Sequence, residues 1–114
     1  MAANELSSTQ RIVRTIQSIP AGKVSSYRDV ALVAGLHNGA RQTARVLHSL
    51  SQKEHLPWHR VIKVDGHIAL PSGGGRELQI ALLRSEGVEV SEQGVVDMQR
   101  YGWGVSGVPV YPSK

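Results

Sequence analysis

The chain of 114 residues contains no cysteine. That excludes disulfides and thiolate metal sites, and it removes the strongest nucleophile among the side chains. No apolar run approaches the ~20 residues that a membrane-spanning helix needs. The N-terminal stretch Met1-Ala-Ala-Asn-Glu-Leu lacks the basic-then-apolar layout of a signal peptide. The expected compartment is therefore the cytoplasm, nucleoid-associated in a bacterium, with no membrane partner. No internal repeat, coiled coil or second domain is visible, so residues 1–114 read as a single domain and as a monomer. Acids are scarce where bases are plentiful: residues 11–63 hold nine Lys and Arg against two acids, whereas residues 64–114 hold four against six. One half of the chain is thus strongly positive, as a polyanion-binding surface would be. Solvated helix faces give the same count, so charge alone does not decide.

What is present has a clear order. Ser7-x-x-Gln10 has the form of a capping box, and Ile12, Val13, Ile16 and Ile19 follow at helical spacing. That predicts a helix from Thr9 to Ser18, stopped by Pro20. Ser26 offers an N-cap with Asp29 in the first turn of a second helix, whose apolar face is Val30, Ala31, Val33 and Ala34 and whose end is Gly35. Asn38 is expected to cap a third helix, with Ala40, Ala44 and Leu47 on one stripe and Thr43, Val46 and Leu50 beside it. The pattern is a helix-turn-helix behind a support helix. Gly39 and Ala40 leave room for close approach at the start of the third helix, and Arg41 and Arg45, four apart, project from similar faces.

Asp65-Gly66 stands between two β-type runs, Val61–Val64 and His67–Leu70, and predicts a hairpin with a type I′ turn. Pro71–Gly75 is then a loop, and a fourth helix over Glu77–Ser85 carries Leu78, Ala81 and Leu82 inward. After Gly87 short extended pieces and a turn of helix at 97–101 precede a Gly- and Pro-rich tail, with Trp103 and Tyr111 as possible anchors. The fold class is α/β, mainly α: a winged helix-turn-helix with a small hairpin wing. Pro57-Trp58-His59-Arg60-Val61 is a stiff lead into the first wing strand, and taken alone its tryptophan reads as core. His55 and His59 are not a metal pair, because Pro57 breaks the helix that their spacing presupposes. No metal or cofactor is expected.

Ile19-Pro20-Ala-Gly22, Ser26-Tyr27, Ala34-Gly35, Ala40-Arg41, Pro57-Trp58-His59-Arg60-Val61, Gly66, Gly74-Gly75 and Leu82-Leu83-Arg-Ser-Glu86-Gly87 together resemble the DNA-binding domain of O6-alkylguanine-DNA alkyltransferases. The likeness covers about residues 8–88 and leaves a divergent tail over 89–114. Trp58 stands where those enzymes carry the reactive cysteine, so the chain is similar to the alkyltransferase-like proteins, their non-enzymatic relatives. Alkyl transfer by the cysteine mechanism needs a thiolate, and indole nitrogen offers no free lone pair.

The resemblance implies double-stranded DNA bearing O6-alkylguanine as the partner, approached from the minor groove, with the lesion nucleotide flipped into a pocket and the site passed to nucleotide excision repair proteins. It implies Tyr27 as the lever that rotates the nucleotide, and Arg41 as the finger filling the vacated stack. Trp58 becomes the pocket wall, with Pro57, His59, Val61, Tyr27, Ser72 and Gly73 around it. Further DNA contacts are expected from Ser26, Arg28, Asn38, Ala40, Gln42, Arg45 and Arg60. His59 and Glu86 are expected to support the pocket structurally. Three departures stand out: no asparagine hinge precedes Pro57, His37 replaces a turn proline, and loop 71–75 has Ser72 and glycines where the enzymes place a tyrosine. The smaller lid implies a roomier pocket. Two rival readings are a sequence-specific winged-helix regulator and an enzyme that acts on the flipped base with His59 and Glu86 activating water.

Overall fold

Residues 6–104 are described by the structure, a computed structural model; residues 1–5 and the expected anchor Tyr111 lie outside the described residues. Helix α1 (Ser8–Ser18) starts at the capping box: Ser7 Oγ accepts from the Gln10 N–H, and Gln10 Oε1 accepts from the Ser7 N–H. Its Ile12 and Ile16 are fully buried. Arg11, on the same helix, donates to the carbonyls of Ala34 and Leu6, so part of the positive half is spent inside the fold.

Strand β1 (Ser25–Ser26) runs straight into helix α2 (Tyr27–Val33). Ser26 Oγ accepts from the Asp29 N–H and donates to the Asp29 carboxylate, and both residues are buried. This cap fixes Tyr27 as the first residue of α2. Helix α3 (Ala40–Leu50) is not capped by Asn38, as its sequence suggested. Gly39 is the N-cap, with no side-chain bond, and Asn38 sits one residue earlier in the left-handed region at φ 54°. The reason is steric: a Cβ at Gly39 would lie 2.7 Å from Ala31 Cβ, so glycine is needed where α3 crosses α2. Asparagine tolerates the left-handed step that delivers it there. Past α3, the Leu56 N–H bonds Ser51 O at 2.9 Å and the His55 N–H bonds Gln52 O at 3.4 Å, with His55 at φ 54°. This paired C-terminal turn swings the chain into Pro57.

Strand β2 (Val61–Ile62) pairs in parallel with β1, Ser25 opposite Val61 and Ser26 opposite Ile62. Successive strand residues face opposite sides, and the two halves of the core follow from that. Val61 joins Ile12, Ile16, Val30, Val46 and Leu56 under the three helices, and Ile62 joins Val24, Leu83, Val88 and Val96 on the other side. Each fully buried aliphatic chain contributes about 1.5–3 kcal/mol.

The hairpin differs from expectation in its turn and in its partner. Gly66 lies at φ 92° while Asp65 is not in the positive-φ region, which excludes type I′. The loop holds three residues, closed by Gly66 N–H to Lys63 O at 2.9 Å and Lys63 N–H to His67 O at 3.0 Å. The return arm then pairs with 94–96 instead, through Ile68 N–H to Gly94 O and Val96 N–H to Gly66 O.

Helix α4 (Arg76–Ser85) is rotated from the predicted face: Gln79 and Leu83 are buried, and Leu78 is 56% exposed. The Gln79 amide makes two bonds to the chain around β2, and that decides the rotation. Helix α5 (Met98–Tyr101) leads to Trp103, whose backbone N–H donates to Val24 O at 2.7 Å and whose side chain packs on the first core, so Trp103 does anchor the chain. The whole is a mainly helical winged helix-turn-helix with a small two-stranded sheet.

Candidate base pocket and nucleic-acid interface

Trp58 opens a short 3-10 turn, Trp58–Arg60, that feeds β2. It lines a cavity of about 480 Å³ with Tyr27 from the start of α2 and Val61 from β2. The far side is α3, through Ala44, Leu47 and His48, with Ser51 just past its end; Leu70 and Gln79 complete the lining. A mostly apolar concavity with a few polar groups is the usual form of a small-ligand site. Burial pushes the Tyr27 phenol above its ordinary value of 10.0, so it stays neutral and presents no negative charge to an approaching phosphate.

Of the residues expected in this pocket, Tyr27, Trp58 and Val61 are brought together. Pro57 is not in the lining. Nor is His59, whose ring meets Trp58 edge-on at 6.1 Å between centroids and whose Nε2 lies 2.8 Å from Glu86 Oε2. Ser72 Oγ donates to Glu77, and the Gly73 N–H does the same, so the loop's polar groups turn to the start of α4 and Leu70 takes the place at the cavity.

Glu86 is the hub of the support. Besides His59 it accepts from the Arg60 guanidinium at 2.7–3.2 Å and from the Gly22 N–H at 3.1 Å, while Arg60 also donates to Ile19 O. Burial opposes ionisation of this carboxyl, but the Arg60, His59 and Gly22 hydrogen bonds outweigh it and hold its pKa at about 2. The end of α4, the α1–β1 turn and the lead into β2 are thereby tied at one point. His59 and Glu86 thus stand in one hydrogen-bonded cluster, with the His59 ring against Trp58.

A second concavity, of about 910 Å³, lies at the start of α3 and is lined by Arg28, Leu32, His37, Asn38, Ala40 and Arg41. The side chains of Arg41 and Arg45 are exposed and make no hydrogen bond or ion pair among the described residues. The Arg28 side chain is 59% exposed and leans on Asp29 at 3.5 Å. These residues form an open basic face around a helix start with free N–H groups. Three expected contact residues are placed elsewhere. Ser26 is sealed in its cap, Arg60 is spent on Glu86 and Ile19, and Gln42 donates to Ser8 Oγ at 2.7 Å, tethering α3 to α1.

The sequence reading had placed Ala44 and Leu47 on one helical stripe, and the structure brings both to the cavity. Gln79 had one clue, a lone amide between Leu78 and Ile80. Among the described residues no group of three His, Asp or Glu stands close enough to hold a metal ion.

Residues 7–88 match the model of the 6-O-methylguanine DNA methyltransferase, DNA binding domain family. The chain is 44% identical over 94 residues to the DNA base-flipping protein of Escherichia coli, covering 82% of this chain and 72% of that protein. It is 32% identical over 98 residues to Alkyltransferase-like protein 1 of Schizosaccharomyces pombe, covering 82% and 91%. The solved structure of S. pombe Atl1 in complex with damaged DNA containing O6-carboxymethylguanine superposes with a TM-score of 0.75 at 31% identity, over 84% of this chain and 94% of that one.

Proposed function

We propose that this chain, which belongs to the 6-O-methylguanine DNA methyltransferase DNA-binding-domain family, binds DNA containing O6-alkylguanine by flipping the lesion nucleotide into the Trp58 pocket, without transferring the alkyl group. The observation that carries the reading is Trp58 itself: an indole lines the cavity beside Tyr27, in a chain without cysteine. Relatives whose names state base flipping, and a damaged-DNA complex of similar fold, support it.

In this reading each step falls to residues on the pocket or the basic face. Arg28, Arg45 and the open start of α3 attract the phosphate backbone. Tyr27, neutral and fixed by the Ser26 cap, is the lever against the phosphate at the extruded nucleotide, and Arg41 enters the vacated stack from the second residue of α3. Extrusion costs a few kcal/mol for a paired base and less where alkylation has weakened the pair. Inside, Trp58 offers the alkyl group an apolar, polarisable wall. The complex then marks the site for nucleotide excision repair proteins, and the chain acts as a cytoplasmic monomer.

A hydrolytic enzyme built on His59 and Glu86 is disfavoured by the same geometry. Neither residue lines the cavity, and Glu86, saturated by three partners and held at about 2, is too weak a base to take a proton from water itself. The deciding experiment measures binding to matched duplexes with guanine or O6-methylguanine, followed by analysis of the recovered DNA. Tighter binding to the lesion with the adduct intact is expected. Equal affinity would refute damage recognition, and loss of the adduct with turnover would establish an enzyme.

A further inference from the structure

Gln79 is 2% exposed on α4 and lines the same cavity as Trp58 and Val61. Its Nε2 donates to the carbonyls of His59 at 3.0 Å and Val61 at 3.2 Å. These bonds fix which way the amide faces, since the flipped form would set Oε1 against two carbonyl oxygens. With Nε2 so engaged, Oε1 is buried and has no hydrogen-bond partner among the described residues. A buried acceptor without a donor is unfavourable, and the two Nε2 bonds leave that cost unmet. The position therefore suits a donor that arrives with the ligand.

We infer that Gln79 is a specificity-determining residue of the base pocket, with Oε1 accepting a hydrogen bond from the exocyclic 2-amino group of the extruded purine. The inference rests on the base-flipping reading above. Its chemistry follows from the lesion: alkylation at O6 removes the N1 proton, so the 2-amino group is the donor left on the pairing edge of the base. Most of the lining cannot answer that donor. Ala44, Leu47, Val61 and Leu70 are apolar at their side chains, and the indole N–H of Trp58 is a donor. Gln79 would thus select 6-alkoxypurines that carry a 2-amino group over those that lack it.

The test compares duplexes carrying O6-methylguanine or O6-methylhypoxanthine, which has the same adduct without the amine, with unmodified guanine as reference. The wild-type protein is expected to bind the first at least about tenfold more tightly than the second, which is 1.4 kcal/mol. Gln79→Met should bring that ratio to about one while keeping a preference for alkylated over unmodified DNA. Gln79→Lys, which keeps a donor for both carbonyls and has no acceptor, should do the same, and it serves if the methionine variant does not fold. A wild-type ratio of one, or variants that weaken both lesion duplexes by the same factor, would overturn the inference and leave the base-flipping reading standing. Wild-type affinity equal for lesion and unmodified DNA would remove both.

Discussion

The ion cluster under the pocket predicts a specific dependence of stability on pH. Glu86 is held at about 2 against an ordinary 4.5, and its side chain is 16% exposed. At 1.36 kcal/mol per pKa unit, the ionised carboxylate then stabilises the fold by about 3 kcal/mol. The folded value lies below the unfolded one, so this contribution is complete above about pH 4.5 and is lost as pH falls toward 2; by pH 3 roughly 60% of it is gone. Glu86→Gln keeps the shape and removes the charge, leaving the Arg60 guanidinium, 17% exposed, without its counter-ion. A loss of about 3 kcal/mol at pH 7 is expected, at the lower edge of what breaking a buried pair costs. Urea unfolding followed by tryptophan fluorescence at pH 7, 5, 4 and 3 reads the difference between wild type and variant. That difference isolates Glu86 from the other carboxyls, and it should shrink to about half or less by pH 3. A constant gap from pH 7 to pH 3 would show that the cluster does not hold Glu86 ionised, and with it the structural role of His59 and Arg60 would fall.

Arg41→Ala should weaken binding to the lesion duplex by at least about tenfold with the melting temperature unchanged, because an exposed side chain with no partner among the described residues carries little stability; a matching loss of melting temperature would reassign it to the fold. Trp58→Ala should change the ranking of methyl, ethyl and benzyl adducts in competition binding, and an unaltered ranking would make Trp58 mere packing. Gly66→Ala should lower stability by more than about 1 kcal/mol in thermal melts, since Gly66 is at φ 92° and a Cβ there would overlap the Val96 carbonyl oxygen. Removing Arg45 should flatten the plot of log affinity against log salt by about 0.9, one phosphate contact, alike on lesion and unmodified duplexes.

The parts of the fold that could be read in the sequence are those decided within a few residues. The Ser7–Gln10 box, the Ser26–Asp29 cap and the stop at Pro20 each depend on groups no more than four positions apart, and each stands where it was read. What escaped is non-local. Nothing in Val61–Ile62 tells that its partner is Ser25–Ser26, in parallel, or that the return arm after Gly66 would rather meet 94–96. The rotation of α4 escaped for a related reason. Its apolar residues offer two faces, and burying Gln79 instead of Leu78 makes sense once two carbonyls wait for its amide. At the site, family likeness carried Tyr27, Trp58 and Val61, but residue type could not separate free arginines from spent ones. Arg41 and Arg45 face out, whereas Arg60 and Arg11 are locked in the fold.

That last distinction bears on what the pocket does. The frame around position 58 consists of Glu86 with its three partners, the left-handed turn at His55 and the Gln79 bonds to the backbone. None of these contacts uses the side chain at 58. The frame therefore presents whatever stands there to the cavity, and its integrity says nothing about reactivity. In the proposed reading, chemistry at this site is decided by one side chain, while extrusion falls to Tyr27, Arg41 and the basic face, which are built on other elements. Extrusion and reaction are separable in that reading because they fall to different residues, and a tryptophan at 58 leaves the frame and the basic face whole.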